Sequence, residues 1–164
     1  MPKYKEHRSK IKSGDLLAWS HEGWRTWRDW KIQMIRIFTR SEYSHVAVAW
    51  VVGGRVLVIE AVRPMARIYP LSKLGDFYHL PMNAPWKPET EEATLNFVGT
   101  EYSQLAALKA FFRGIGYGAR ECAQLVITVS KSDGIDLGER AVPDAVMLAA
   151  LKDRDTAVYF VESE

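Results

Sequence analysis

Residues 45–62 of the chain read HVAVAWVVGGRVLVIEAV. Both halves of this stretch are rich in β-branched residues, which favour extended structure. The Gly53-Gly54 dipeptide between them is a strong signal for a tight turn between two paired strands. The stretch therefore predicts an antiparallel β-hairpin whose strands are residues 45–52 and 55–62.

The register of this hairpin brings a histidine and a carboxylate together. If the turn is centred on the two glycines, Val52 faces Arg55 and Ala47 faces Glu60. Side chains alternate along a strand, so His45 and Glu60 share a face as diagonal neighbours, roughly 7–8 Å apart at the backbone. Glu60 lies in an apolar run where a buried carboxylate needs a partner, and His45 is the expected one. The alternative is a structural ion pair without chemistry.

The only cysteine of the chain, Cys122, follows a glycine-rich stretch, residues 114–118, and begins a helical pattern. A thiol in the first turn of a helix lies near unpaired backbone N–H groups and the positive end of the helix dipole, which favour the thiolate. A single cysteine forms neither an internal disulfide nor a multi-thiolate metal site, so a functional role would be nucleophile or redox sensor. The alternative is a small apolar residue of the core.

The remaining pattern predicts one α+β domain with an antiparallel sheet, because strands dominate the first half and helices the second. We expect a mobile basic tail over residues 1–12 and a single domain over residues 13–164. The other predicted strands are residues 16–19, 66–69, 77–80 and 156–161. The predicted helices are residues 23–38, 89–98, 103–112, 119–130 and 143–152.

Composition excludes several functional classes. The chain has 164 residues, 48% of them apolar, and a formal charge of +2, which is too small for a nucleic-acid-binding surface. The longest strongly apolar run, residues 46–52, is far too short to span a membrane, and no secretory signal is evident. A cytoplasmic location is the default expectation, and a phage-encoded or virion-delivered protein would look the same.

Four short motifs resemble a known family: SGDLL at 13–17, YSHVAV at 43–48, VIEA at 58–61 and ECAQLV at 121–126. In this order they resemble the YiiX-like, circularly permuted branch of the NlpC-type papain-like cysteine peptidases and amidases. The resemblance implies a permuted papain-like fold, with an antiparallel sheet packed against a central helix that carries the cysteine. It also implies Cys122 as nucleophile, His45 as general base and Glu60 as third member, with no metal or cofactor. Small peptides, above all peptidoglycan crosslinks, are the implied substrates.

Other candidate residues surround this triad. Gly99-Thr100-Glu101-Tyr102 resembles the family's Gly-x-x-Tyr motif, so Tyr102 is a candidate oxyanion donor, or else a packed aromatic. Gln124 is a candidate substrate contact, although the family commonly has Ser-Glu where this chain has Ala-Gln. Trp24 and Trp27 belong to an amphipathic helical pattern that faces the core, lines a substrate groove or rests on a membrane surface.

Two other classes of function stay open. The same order of histidine and cysteine resembles the lecithin retinol acyltransferase-like enzymes, which act on lipid acyl esters. Those enzymes typically carry Asn-Cys where this chain has Glu121-Cys122. The third class is a non-catalytic binding or structural protein on the same fold. Of the other histidines, His7 lies in the expected tail, whereas His21 and His79 lack metal-ligand spacing and are expected to be structural or exposed.

Overall fold

The computed structural model describes residues 1–20, 43–62, 64–101, 119–139, 142–154 and 156–163. Its strands are β1 (Leu16–Ser20), β2 (Tyr43–Val52), β3 (Arg55–Ala61), β4 (Ala66–Pro70), β5 (Phe77–Leu80) and β6 (Tyr159–Val161). Its helices are α1 (Tyr4–His7), α2 (Pro88–Leu95), α3 (Ala119–Ser132) and α4 (Pro143–Arg154). The helices predicted over residues 23–38 and 103–112 lie outside the described residues.

The described strands form one six-stranded sheet in the order β4-β3-β2-β1-β5-β6, with neighbouring strands antiparallel. The predicted register of the central hairpin is confirmed from Val52↔Arg55 to Val48↔Ile59. Gly53 and Gly54 have φ of 55° and 72°, the left-handed conformation that two-residue hairpin turns need. The predicted α+β class with an antiparallel sheet is thus confirmed.

Both faces of the sheet are covered, which explains why its central strands are almost continuously apolar. On one face, α3 and α4 pack against side chains of the central strands such as Val46 and Val48. On the other face, Ala47 and Ala49 of the same strand lie in a second apolar cluster. Alternate residues of β2 therefore serve two separate cores.

The segment before β1 differs from the predicted tail. Residues 1–12 pack on the second face of the sheet, where Tyr4 is 9% exposed and Ile11 is 3% exposed. The Tyr4 ring meets the Phe77 ring edge to face, with centroids 6.2 Å apart. The basic residues of this segment suggest a solvated tail, but its few apolar side chains face the sheet, and this corrects the expectation of an unpacked tail.

A buried chain of hydrogen-bonded side chains connects this segment to the sheet. His7, which is 1% exposed, places Nε2 at 2.9 Å from His79 Nδ1, and His79 Nε2 lies 2.9 Å from Asp15 Oδ2. Because the carboxylate only accepts, His79 donates from Nε2 to Asp15, and a second hydrogen bond joins its Nδ1 to His7 Nε2. His7 Nδ1 has no hydrogen-bond partner among the described residues. His7 and His79 thus have structural positions.

The position of His7 predicts that acid destabilises the protein. Burial, with the charges of His79 and Lys10, lowers the pKa of His7 to about 4, against 6.5 for the ordinary side chain. Between these two pH values the unfolded chain binds more protons, so the free energy of unfolding falls as pH drops, by up to about 3 kcal/mol from this residue. His7→Gln keeps a side chain that can donate to or accept from His79 but does not titrate. The free energy of unfolding, measured with urea at about pH 7 and about pH 4.5, should decrease less between these two pH values in the variant than in the unaltered chain. Equal decreases would contradict this role.

Candidate active site

The first turn of α3 carries Cys122. Helix α3 begins at Ala119, and the cysteine is 1% exposed in the core between α3 and the sheet. Its thiol lies close enough to the side chain of His45 to raise the pKa of the imidazole. The long-range packing of α3 on β2 thus brings together two residues that are far apart in the sequence.

His45 lies near the start of β2, directly after an irregularity in the sheet. Trp19 faces His45 and Ser20 faces Tyr43, so Ser44 is an extra residue on β2. Such a bulge changes which way the neighbouring side chains point and is common beside active sites. Tyr43 accordingly packs with the helices, while the His45 ring lies 5.5 Å from the Trp19 ring, centroid to centroid. The His45 side chain is 21% exposed.

Glu60 of β3 is the carboxylate that contacts this histidine. Its Oε2 lies 2.8 Å from His45 Nε2, and the residue is 2% exposed. The contact that the hairpin register predicts is therefore present. Since Nε2 is used by Glu60, Nδ1 is the ring nitrogen that remains for the Cys122 thiol. Sulfur, imidazole and carboxylate form one connected chain of side chains.

Arg67 of β4 also contacts the carboxylate, and sequence reasoning missed it. Its Nε and Nη2 both lie 2.8 Å from Glu60 Oε1. The two residues are directly paired across β3 and β4. Pairing the predicted strand at 66–69 with β3 would have placed an arginine opposite Glu60, so the signal was in the sequence. Each oxygen of the buried carboxylate thus has its own nitrogen partner.

These contacts change the titration of both charged partners. Burial by itself lowers the pKa of His45, but the hydrogen bonds and charges of Cys122 and Glu60 outweigh it and raise the pKa to about 9. Burial raises the pKa of Glu60, but hydrogen bonds from His45 and Arg67, together with their charges, bring it below its usual value. At neutral pH the arrangement therefore favours an imidazolium held by an ionised carboxylate and close to Cys122.

Of the other candidate residues, Gln124 lies within the described part of the chain, and it is not brought to this cluster. The Gln124 side chain is half-buried, and its Nε2 lies 3.4 Å from Thr128 Oγ1, one turn further along α3. Two helical positions separate it from Cys122, about 200° around the helix axis, so the two side chains point in different directions. Tyr102, Trp24 and Trp27 lie outside the described residues, and their roles stay predictions.

Metal-binding clusters and membrane-spanning helices are both absent from the described residues. Within these ranges, no group of three or more histidine, cysteine, aspartate or glutamate side chains is arranged to hold a metal ion. Among the described helices, none combines the length and apolar character that a membrane-spanning helix needs.

Comparison with solved structures gives a distant likeness. No protein-family model matches the sequence, and no curated protein matches it. Among solved structures, the chain resembles the crystal structure of YiiX from Escherichia coli O157:H7, described as a metalloprotein of DUF1105, with a TM-score of 0.48. The two sequences are 19% identical, and the match covers 93% of this chain and 88% of that chain. This likeness is too distant to assign the chain to a family.

Proposed function

We propose that this protein is a cysteine-dependent amide hydrolase of the permuted papain-like kind. The observation that carries the proposal is the proximity of the Cys122 thiol to His45, whose imidazole is hydrogen-bonded to the buried carboxylate of Glu60. A nucleophile, a base and a residue that orients the base recur in this arrangement on unrelated folds. The order along the chain, with the histidine strand before the cysteine helix, agrees with the permuted branch that the motifs resemble.

In the proposed reaction, the Cys122 thiolate attacks the carbonyl carbon of the scissile amide. His45, as imidazolium, gives its proton to the departing amine nitrogen as the C–N bond breaks, which leaves a thioester on Cys122. His45 then takes a proton from water, whose oxygen attacks the thioester carbonyl. The C–S bond breaks, the carboxylic acid leaves, and thiolate and imidazolium are restored.

Glu60 supports both steps without touching the reacting atoms. Its ionised carboxylate holds one ring nitrogen of His45, which fixes the orientation of the ring and stabilises the imidazolium. The raised pKa of His45, about 9, keeps a proton available for the leaving amine throughout the neutral range. Small peptides, with peptidoglycan crosslinks first among them, are the substrates that we propose from the motif resemblance.

Alkylation of the sole thiol tests the proposal directly. Iodoacetamide should modify Cys122 at pH 7 at least about tenfold faster than it modifies the urea-unfolded chain, whose thiol has no assistance. His45→Ala should remove most of this advantage, since the imidazolium that stabilises the thiolate is lost. Because the chain has one cysteine, the intact mass reports this site alone. Slow alkylation that does not depend on His45 would overturn the proposal and indicate a structural cysteine.

A substrate panel then distinguishes amide from ester chemistry. Purified muropeptides and phospholipid vesicles are incubated with the protein and with Cys122→Ala, and the products are read by mass spectrometry. Release of a free amine that needs Cys122 supports the amidase. Release of free fatty acid instead would reassign the same triad to lipid acyl chemistry, as in the acyltransferase-like alternative.

A further inference from the structure

Glu60 has a second partner, Arg67, which the proposed mechanism does not use. Arg67 Nε and Nη2 both lie 2.8 Å from Oε1, whereas His45 lies 2.8 Å from Oε2. Because Arg67 binds Oε1 of Glu60, Oε2 remains directed at the imidazole of His45. The division of the two oxygens between two partners fixes the rotation of the carboxylate.

The arginine is itself held in place. Its guanidinium lies over the Tyr69 ring, 4.6 Å from the centroid. Tyr69 is two residues further along β4, so both side chains are on the same face of the strand. The Arg67 side chain is 47% exposed while that of Glu60 is 3% exposed, so the cation keeps contact with water and its forked N–H groups reach inwards. Such a fork aligns a carboxylate in a way that a lysine cannot.

We propose that Arg67 is a positioning residue, which keeps Glu60 ionised and turned towards His45 so that the imidazole is correctly placed for Cys122. This inference rests on the proposed function. Among the described residues, the charged groups that contact Glu60 are His45 on β2 and Arg67 on β4, and Cys122 on α3 lies close to His45. Without Arg67, burial acts on the carboxylate with one cation fewer to oppose it, and Glu60 takes up a proton at a higher pH.

The test compares Arg67→Met and Arg67→Lys with the unaltered chain. With a muropeptide substrate, Arg67→Met should lower kcat at least about tenfold while KM changes by less than about twofold, because the loss lies in the placement of the base. The acid limb of the Cys122 alkylation rate should move up by about one pH unit or more as Glu60 protonates earlier. Arg67→Lys should bring the acid limb of alkylation part of the way back, because lysine restores the positive charge. It should not restore the full kcat, because lysine lacks the forked N–H groups of the guanidinium.

Arg55→Met is the matched control, since Arg55 is exposed on β3 and faces Val52 at the turn end of the hairpin. Arg55→Met should leave both kcat and the pH dependence of Cys122 alkylation unchanged. If Arg67→Met does not fold, Arg67→Lys alone decides, because its kcat must still fall below that of the unaltered chain. Fast, His45-dependent alkylation with identical pH profiles in all Arg67 variants would overturn this inference and leave the proposed function standing. Slow alkylation of the unaltered chain, insensitive to His45, would overturn both.

Discussion

Replacing Cys122 by alanine is expected to reduce amide hydrolysis by at least about 10⁴-fold, because removing the nucleophile of a triad leaves only the catalysis due to substrate binding and oxyanion contacts. No other thiol in the chain can take over the reaction. Cys122→Ser should be nearly as inactive, because a hydroxyl is a far weaker nucleophile beside an imidazolium than a thiol. The measurement is the release of amine from the best substrate of the panel.

The fold of the alanine variant should survive. The Cys122 side chain is buried, but its loss removes a single sulfur atom, a change that costs on the order of 1 kcal/mol in a core. The thermal transition therefore serves as the control that separates lost chemistry from lost structure. A folded Cys122→Ala variant that retains more than about a tenth of the activity would contradict the assigned nucleophile, since triad replacements act far more strongly.

Glu60→Gln is expected to have the second largest effect, a fall in kcat of about 10²- to 10⁴-fold, as found when the orienting carboxylate of a triad becomes an amide. The amide has nearly the same shape, but it lacks the charge that supports the imidazolium. We therefore expect the pKa of His45 to fall from about 9 towards the ordinary value of 6.5. The measurement is the pH dependence of kcat, whose basic limb should move to lower pH together with the loss of rate.

A matched variant is available for this second prediction. Glu91 of α2 is a half-buried carboxylate, and its Oε2 accepts hydrogen bonds from the indole N–H groups of Trp50 at 3.2 Å and Trp86 at 2.9 Å. Glu91→Gln removes a charge of the same kind from a site that involves none of the triad side chains. It should leave kcat and its pH limbs unchanged. Equal losses in both variants would mean that Glu60 acts through general stability instead of through His45.

The sequence predicted the part of the site that lies within one hairpin. The turn at Gly53-Gly54 sets the register, and the register brings His45 to Glu60. The bulge at Ser44 has no comparable signal, since a single extra residue in a strand alters the alternation without a characteristic residue type. It reorients Tyr43 towards the helices, which the alternation by itself does not predict.

The contacts between distant segments were harder to predict from the sequence. The packing of α3 on β2, which places Cys122 near His45, depends on the mutual fit of many side chains. The motif resemblance implied this contact, whereas local periodicity carries no information about it. Residues 1–12 were misjudged for a related reason, because burial of Tyr4 and His7 needs a partner surface that only the assembled sheet provides. Arg67 was the one omission that strand pairing alone would have revealed.

The most direct test of the central claim is a titration of His45 by NMR, with ring resonances assigned from a His45→Gln variant. If thiol, imidazole and carboxylate act as one unit, the ring stays protonated until about pH 9 in the unaltered protein. In Cys122→Ala its titration should move to clearly lower pH, since the contact with the thiol is the largest of the influences that raise this pKa. A His45 that titrates near pH 6.5 in both proteins would contradict the account.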